Sequence, residues 1–283
     1  MRASTSPTPA VPAARNPAPA VRNERRLESM RAIVACVPCR RSRPVRTGSV
    51  RDLYTLRRPP LTCAVSGRNV VRMKGDPVCP RCQGSLRAPS PWDTNWNCGA
   101  HGPVPPLRPF SQPSAAFVRW LASRSRLPIW LPWPIPHGWV ITGVGHAGSE
   151  VEGVRATVVA CSGPNPLGGP GELLLVAEEM GIGLGASYAG LSGADPGDAF
   201  GDGAPQAKVQ AGGRPTPLWF VRGPADRAVY AGEAEGFWLW LVFHPETAGA
   251  LLLEPFSLAD MGTLGREVDL LPYGALTPRL GGS

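Results

Sequence analysis

The stretch that decides the first part of the fold reads Cys79-Pro80-Arg81-Cys82 and, after fifteen further residues, Cys98-Gly99-Ala100-His101. Two residues separate the ligand-type side chains within each pair, so both members can reach one metal ion from a single tight turn. Three thiolates and an imidazole suit a tetrahedral zinc ion. The sequence therefore predicts a Zn²⁺ site. Its ligands would be Cys79, Cys82, Cys98 and His101.

The residues between the two pairs are enough for a short hairpin, as in a small zinc ribbon. Trp92 and Trp96 fall within this hairpin and are expected to cover its small core. Because the protein supplies all four ligands, no coordination position is left for the water or substrate that a catalytic zinc normally keeps. We therefore expect a structural zinc in a ribbon at residues 73–110.

The net positive charge of the chain is confined to the first 72 residues. They carry 15 of the 29 basic residues and 3 of the 21 acidic ones, which leaves residues 73–283 with a net charge of −4. Their Arg-, Pro- and Ala-rich composition predicts a disordered leader, with an organellar transit peptide or upstream coding sequence before a native start at Met73 as further interpretations. Nucleic acid is not an expected partner, except non-specifically through this leader.

The cysteine count and the apolar pattern indicate the compartment. Seven cysteines, three of them in the predicted metal site, do not match a secreted disulfide framework. Cys36 and Cys39 resemble half of a second site, but the leader offers only Cys63 in addition. No apolar run is long enough to span a membrane, and the first residues lack the apolar segment of a secretory signal. We expect a cytoplasmic protein with no membrane partner.

Residues 111–283 predict an α+β domain with a mainly antiparallel sheet, after a proline-rich linker at 103–113. Runs rich in Val, Leu and aromatic residues between Gly, Pro or Asp clusters predict strands. The predicted strands are 138–146, 154–161, 171–178, 216–222, 227–233, 237–244 and 250–256, with the fifth and sixth forming a hairpin. A helix capped by Ser114 is predicted at 114–123, and a short helix at 182–190.

The proline-rich segment from Leu127 to His137 can be neither the interior of a helix nor a central strand, so it is expected to be extended. Trp130 and Trp133 within it are interpreted as packing against the domain that follows. An aromatic ligand surface is the alternative interpretation, because exposed apolar clusters often mark interaction sites.

Two glycine-rich segments resemble phosphate-binding loops. Gly181–Ala186 satisfies the pattern G-x-G-x-x-A after a predicted strand. However, Glu178 and Glu179 would repel a phosphate, and no second strand ends in an acidic residue about twenty residues later. Residues 162–171 lack the Lys-Ser/Thr ending of a P-loop. A tight turn is therefore the preferred interpretation of Gly181–Ala186.

The sequence contains no complete catalytic motif. Cys161 would be a nucleophile only beside a base, for which His137, His146 and His244 are the candidates, so a buried thiol is favoured. A second metal site could combine His146 and His244 with carboxylates at 178–179 and 195–202, but no spacing favours it. Catalytic and cofactor-binding residues stay unassigned.

Seven short segments of the sequence resemble those of a known family. They are Cys79–Cys82, Cys98–Gly102, Trp130–Pro134, Arg155–Pro164, Gly171–Glu179, Arg214–Trp219 and Gly274–Arg279. Together they resemble an uncharacterised actinobacterial family, a domain of unknown function with an N-terminal zinc ribbon and a C-terminal β-rich domain. The resemblance covers Met73 to the C-terminus and implies a bacterial cytoplasmic setting. It implies no catalytic residues.

Two functions from different classes remain. The favoured one is a zinc-binding protein that acts as a binding or regulatory module with an unidentified protein partner, because the zinc site is closed and no catalytic motif is complete. The alternative is a small-molecule enzyme or ligand-binding domain that uses the loops 162–171 and 181–190. It predicts a deep pocket where these loops converge with His146 or His244.

Overall fold

The computed structural model describes residues 76–109, 112–198 and 200–280. The predictions for residues 1–72, including the disordered leader and the half-site at Cys36 and Cys39, lie outside the described residues. All the described residues belong to one compact unit of the chain. The predicted division between residues 73–110 and 111–283 stays a prediction.

A three-stranded antiparallel sheet occupies the cysteine-rich part of the chain. Its strands, in the order β1-β2-β3, are Leu86–Arg87, Asn97–Cys98 and Gly102–Pro103. We call residues 78–104 the Cys–His segment. Its buried core is small and consists of Cys79, Cys98 and Val104, with Leu86 packed against them.

Ten further strands form one large sheet in the order β4-β6-β7-β8-β12-β11-β10-β9-β13-β5. All neighbouring pairs are antiparallel except β13 and β9, which are parallel. The strands are β4 (Leu107–Pro109), β5 (Trp130–Pro132), β6 (Val140–Ser149), β7 (Gly153–Pro164), β8 (Pro170–Glu178), β9 (Ala207–Ala211), β10 (Arg214–Val221), β11 (Ala228–Ala234), β12 (Phe237–His244) and β13 (Phe256–Asp260). For the described residues, the predicted β-rich and mainly antiparallel sheet is confirmed, and few helices accompany it.

Six of the seven predicted strands are present as β6, β7, β8, β10, β11 and β12. The predicted hairpin also forms, because Glu235 and Gly236 both adopt positive φ (56° and 84°) between β11 and β12. A two-residue turn in which both residues have positive φ has a twist that matches that of the flanking strands.

The predicted strand at 250–256 is wrong. Residues Glu246–Leu253 form a 3₁₀ helix, and β13 begins only at Phe256. Two features explain the difference. The run 250–253 is continuously apolar rather than alternating, with Leu253 exposed, and Pro255 has no backbone N–H to donate to a neighbouring strand.

Both faces of the large sheet are buried, which explains the continuously apolar sequence of β12. Leu239, Leu241 and Phe243 belong to one core cluster, whereas Trp240 and Val242 belong to the other. The far end of the sheet folds back, so that β5 packs against β7 and β8. Trp130 on β5 is 1% exposed, in agreement with its predicted packing.

Among the described residues, two α-helices cover the sheet. Helix α1 (Ala115–Ala122) begins at the predicted cap, where the Ser114 hydroxyl accepts a hydrogen bond from the Phe117 N–H at 3.3 Å. Helix α2 (Leu184–Ala189) lies within the predicted range 182–190 and is buried on the second face. In the part of the chain that the structure describes, the helices are too short or too polar to span a bilayer.

Candidate metal centre

The two predicted ligand pairs sit on two turns of the Cys–His segment. In the first turn the Cys79 carbonyl accepts a hydrogen bond from the Gln83 N–H at 2.8 Å, and the Cys79 N–H donates to the Gly84 carbonyl at 2.9 Å. Gln83 completes this turn with a positive φ of 57°. In the second turn Cys98 ends β2, and Gly102 has a φ of 67° directly after His101. These turns direct all four side chains toward one point.

The ligand atoms of Cys79, Cys82, Cys98 and His101 all lie within 4.8 Å of one another. Nδ1 of His101 is 3.6 Å from the sulfur of Cys79 and 3.6 Å from that of Cys98, and the sulfurs of Cys82 and Cys98 are 3.6 Å apart. A tetrahedral zinc with Zn–S bonds of about 2.3 Å places its sulfur ligands about 3.8 Å apart. The arrangement therefore fits a metal ion, and the donor set fits zinc.

The protonation of the thiols bears on metal binding. Burial raises the pKa of Cys79 to about 12. At Cys98, burial also opposes ionisation, but hydrogen bonds from the Ala100 and His101 N–H groups and from the His101 ring lower the pKa to about 6. Since a metal ion binds thiolates, its binding would release the proton of Cys79.

The structure covers the small core of the Cys–His segment differently from the prediction, in which Trp92 and Trp96 both cover it. Trp92 is 95% exposed, because a tight turn with the Ser90 N–H donating to the Asp93 carbonyl carries this residue into solvent. Trp96 is partly buried, and the guanidinium of Arg108 lies over its ring at 5.6 Å. The prediction is therefore wrong for Trp92.

The Cys–His segment is joined to the large sheet at two places. Val78 exchanges backbone hydrogen bonds with Leu107 on β4, at 3.0 and 2.9 Å. The side chain of Arg81, which lies between the first two ligands, donates to the carbonyls of Gly181 and Ile182. The turn before α2 therefore binds a guanidinium of this chain through its carbonyl groups.

The start of α2 is occupied by a carboxylate of the chain. Glu178 is fully buried and accepts hydrogen bonds from the N–H groups of Leu184 at 2.7 Å and Gly185 at 3.1 Å. These are the groups that a pyrophosphate would need in a dinucleotide site. The geometry agrees with the tight-turn interpretation of Gly181–Ala186, in which Gly181 and Gly183 supply positive φ.

Burial raises the pKa of Glu178 to about 8, against the opposing effect of the two N–H donors. A folded-state pKa above the ordinary value of 4.5 means that this group stabilises the fold fully below pH 4.5 and that the contribution is lost as the pH rises toward 8. In a Glu178→Gln variant the new amide keeps one acceptor oxygen and does not ionise. We expect this variant to be destabilised by about 1 kcal/mol at pH 5, with a gap to the wild type that shrinks toward pH 8.

Urea unfolding at pH 5, 6.5 and 8 measures this gap directly. Glu233→Gln is the matched control, because Glu233 is an exposed carboxylate on β11 and its replacement is expected to leave the pH dependence as in the wild type. A gap between wild type and Glu178→Gln that stays constant with pH would contradict the assignment.

The remaining candidate residues are not brought together in the described structure. Cys161 is fully buried in the first core cluster, where burial raises its pKa to about 12. His146 is buried beside the rings of Phe117 and Trp120, and burial lowers its pKa to about 4. His137 is exposed. The described structure thus favours the buried-thiol interpretation of Cys161.

His244 lies in a cavity of about 470 Å³. Most of its lining residues were not predicted from the sequence. Loop 181–190 contributes Ser187 and Tyr188 to this cavity, whereas residues 162–171 do not line it. Its other lining residues are Gln83, Glu172, Leu174, Arg227, Pro278 and Arg279. Together with His244, Ser187 and Tyr188, these residues come from six separate parts of the chain. The register of β8 against β12 sets Glu172 opposite His244, but these two strands are distant in the chain, so no local signal in the sequence indicates the site.

Comparison with known proteins identifies a family. A sequence model of a family of unknown function (DUF6758) matches residues 73–280, which include all of the described residues. No curated protein and no solved structure matches the chain. The site is therefore interpreted from its own geometry.

Proposed function

The chain belongs to a family of unknown function, and from its geometry we propose a zinc-binding protein in which a zinc ribbon at residues 73–110 serves as a binding module. The observation that carries this proposal is the convergence of four donors, three thiols and one imidazole, within 4.8 Å. The proposed ligands are Cys79, Cys82, Cys98 and His101, the residues that the sequence spacing predicts. The proposal keeps the actinobacterial origin that the resemblance implied.

The zinc is proposed to be structural. All four donors come from the chain, which leaves no open position for a substrate or an activated water. The Cys–His segment also has a core of only a few side chains, and so small a core does not stabilise a fold by itself. A metal ion that joins the two turns would supply this missing stability.

The ribbon would present a recognition surface to a protein partner. A groove of about 660 Å³ lies beside the Cys–His segment, with Pro91, Trp96, Arg108 and Val151 among its lining residues. Val151 is 96% exposed, so the groove has apolar surface that a protein partner would cover. Nucleic acid is not proposed as the partner, since residues 73–283 carry a net charge of −4. A reducing, cytoplasmic setting is proposed because three of the four proposed ligands are free thiols.

Native mass spectrometry of the full chain, purified in reducing buffer, tests the metal. We expect one zinc ion per chain, which is lost when a chelator is added in excess and regained with added zinc. Circular dichroism before and after chelation would show whether the large sheet persists. A purified protein that holds no zinc and does not take up added zinc would refute the proposal.

A second candidate function, small-molecule binding, rests on the cavity at His244. Its volume of about 470 Å³ falls within the range of about 300–1,000 Å³ that ligand sites occupy. Polar side chains from distant parts of the chain converge on it, as they do in binding and catalytic sites. Of the two loops that the sequence suggested for such a site, residues 181–190 contribute to this cavity and residues 162–171 do not.

A further inference from the structure

Some side chains at the cavity around His244 already have hydrogen-bond partners, and others do not. Glu172 accepts hydrogen bonds from the Thr277 hydroxyl and from Nε of Arg279 at 2.6 Å. Asp226, beside the cavity, is bound in the same way by two nitrogens of Arg227, at 2.7 and 2.9 Å. Each carboxylate at this site therefore has an arginine partner.

Three polar groups that line the cavity and can donate a hydrogen bond have no partner among the described residues. They are the Gln83 amide, the Ser187 hydroxyl and the outer nitrogens of Arg279. His244 is only 4% exposed, and its Nδ1 lies 4.0 Å from Asp226, too far for a hydrogen bond. This nitrogen is enclosed next to Asp226, so a ligand in the cavity would meet the three free polar groups rather than Nδ1 of His244.

The charges around His244 indicate which ligand. Apart from burial, the strongest influences on its ring are the positive charges of Arg279 and Arg227, and these outweigh the negative charge of Asp226. Each of the free groups can donate a hydrogen bond, and a guanidinium binds carboxylate or phosphate oxygens through two parallel hydrogen bonds. We propose that this cavity binds an oxyanion group, a carboxylate or a phosphate, of a small molecule, with Arg279 as the main contact.

The Cys–His segment supplies one wall of this site. Gln83 follows the second ligand directly, and its backbone is fixed by the hydrogen bond of its N–H to the Cys79 carbonyl. The turn that holds Cys79 and Cys82 thus also places the Gln83 amide at the cavity. This inference rests on the second candidate function and on the structural zinc, and it adds that the zinc-bound ribbon completes the ligand site.

Isothermal titration of the full, zinc-loaded protein with inorganic phosphate tests this inference. We expect saturable binding at one site, weakened about tenfold or more by Arg279→Gln, because this variant loses a charge-assisted hydrogen bond to the anion. Gln83→Ala and Ser187→Ala each remove one neutral donor and should weaken binding about threefold. Arg222→Gln, at an exposed arginine outside the cavity, should leave binding unchanged.

Native mass spectra of the same samples separate the two proposals. One zinc per chain without saturable phosphate binding, or undiminished binding in Arg279→Gln, would overturn the oxyanion site and leave the zinc proposal standing. If Arg279→Gln does not fold, Ser187→Ala decides, since it disturbs no ion pair. Wild-type affinity after zinc removal would overturn the role of the ribbon, while affinity reduced to that of Gln83→Ala supports it.

Discussion

Replacing Cys98 with serine is expected to abolish zinc binding and to open the Cys–His segment. The hydroxyl that replaces this thiolate is a poor zinc ligand, and structural zinc contributes about 10–16 kcal/mol in small zinc domains. The buried side chains of this segment do not compensate for that loss. Hydrogen exchange followed by mass spectrometry should show protection falling at least about 100-fold across residues 78–104.

Cys161→Ala is the matched control for this experiment. Cys161 is also a buried free cysteine, but it lies on β7 in the core of the large sheet. Its variant should keep one zinc ion and normal protection of residues 78–104. Retention of both zinc and protection in Cys98→Ser would show that Cys98 is not a ligand.

Gly185→Ala is expected to destabilise the fold by about 3 kcal/mol, at the upper end of what overpacking usually costs. A Cβ atom at position 185 would lie 2.2 Å from Cδ1 of Trp240. Trp240 is fully buried, so its ring has no free space into which to move. The midpoint and slope of urea unfolding measure the loss.

Gly193→Ala is the control for this substitution. Gly193 is exposed, and a Cβ atom there would meet no atom closer than 3.7 Å. Its variant should unfold within about 0.5 kcal/mol of the wild type, as surface substitutions usually do. If Gly185→Ala were equally neutral, the packing of α2 against β12 would be looser than described.

The features predicted from sequence were those encoded locally. The ligand pairs are recognised by their spacing, so Cys79 and His101 could be grouped without knowledge of the chain between them. The hairpin of β11 and β12 likewise depends on a two-residue turn, Glu235 and Gly236, between two apolar runs. Ser114 marks the start of α1 by the same kind of short-range signal.

The features missed from sequence depend on distant partners. β5 has three residues and β9 has five, so each forms only because a neighbouring strand offers its hydrogen bonds. The parallel pairing of β9 with β13 has no local signature. The cavity at His244 is the extreme case, since Gln83 and Arg279 are nearly two hundred positions apart and meet only in the fold.

The two outermost strands of the large sheet have a consequence for self-association. The edge of a sheet offers unpaired backbone groups onto which a second molecule can add a strand, the first step toward fibrils. Here both edges are three-residue strands. Pro132 lies within β5, and Pro106 directly precedes β4; neither residue has an N–H to donate. Within the part of the chain that the structure describes, the ten-stranded sheet thus ends on both sides in edges too short and too poor in donors to template growth.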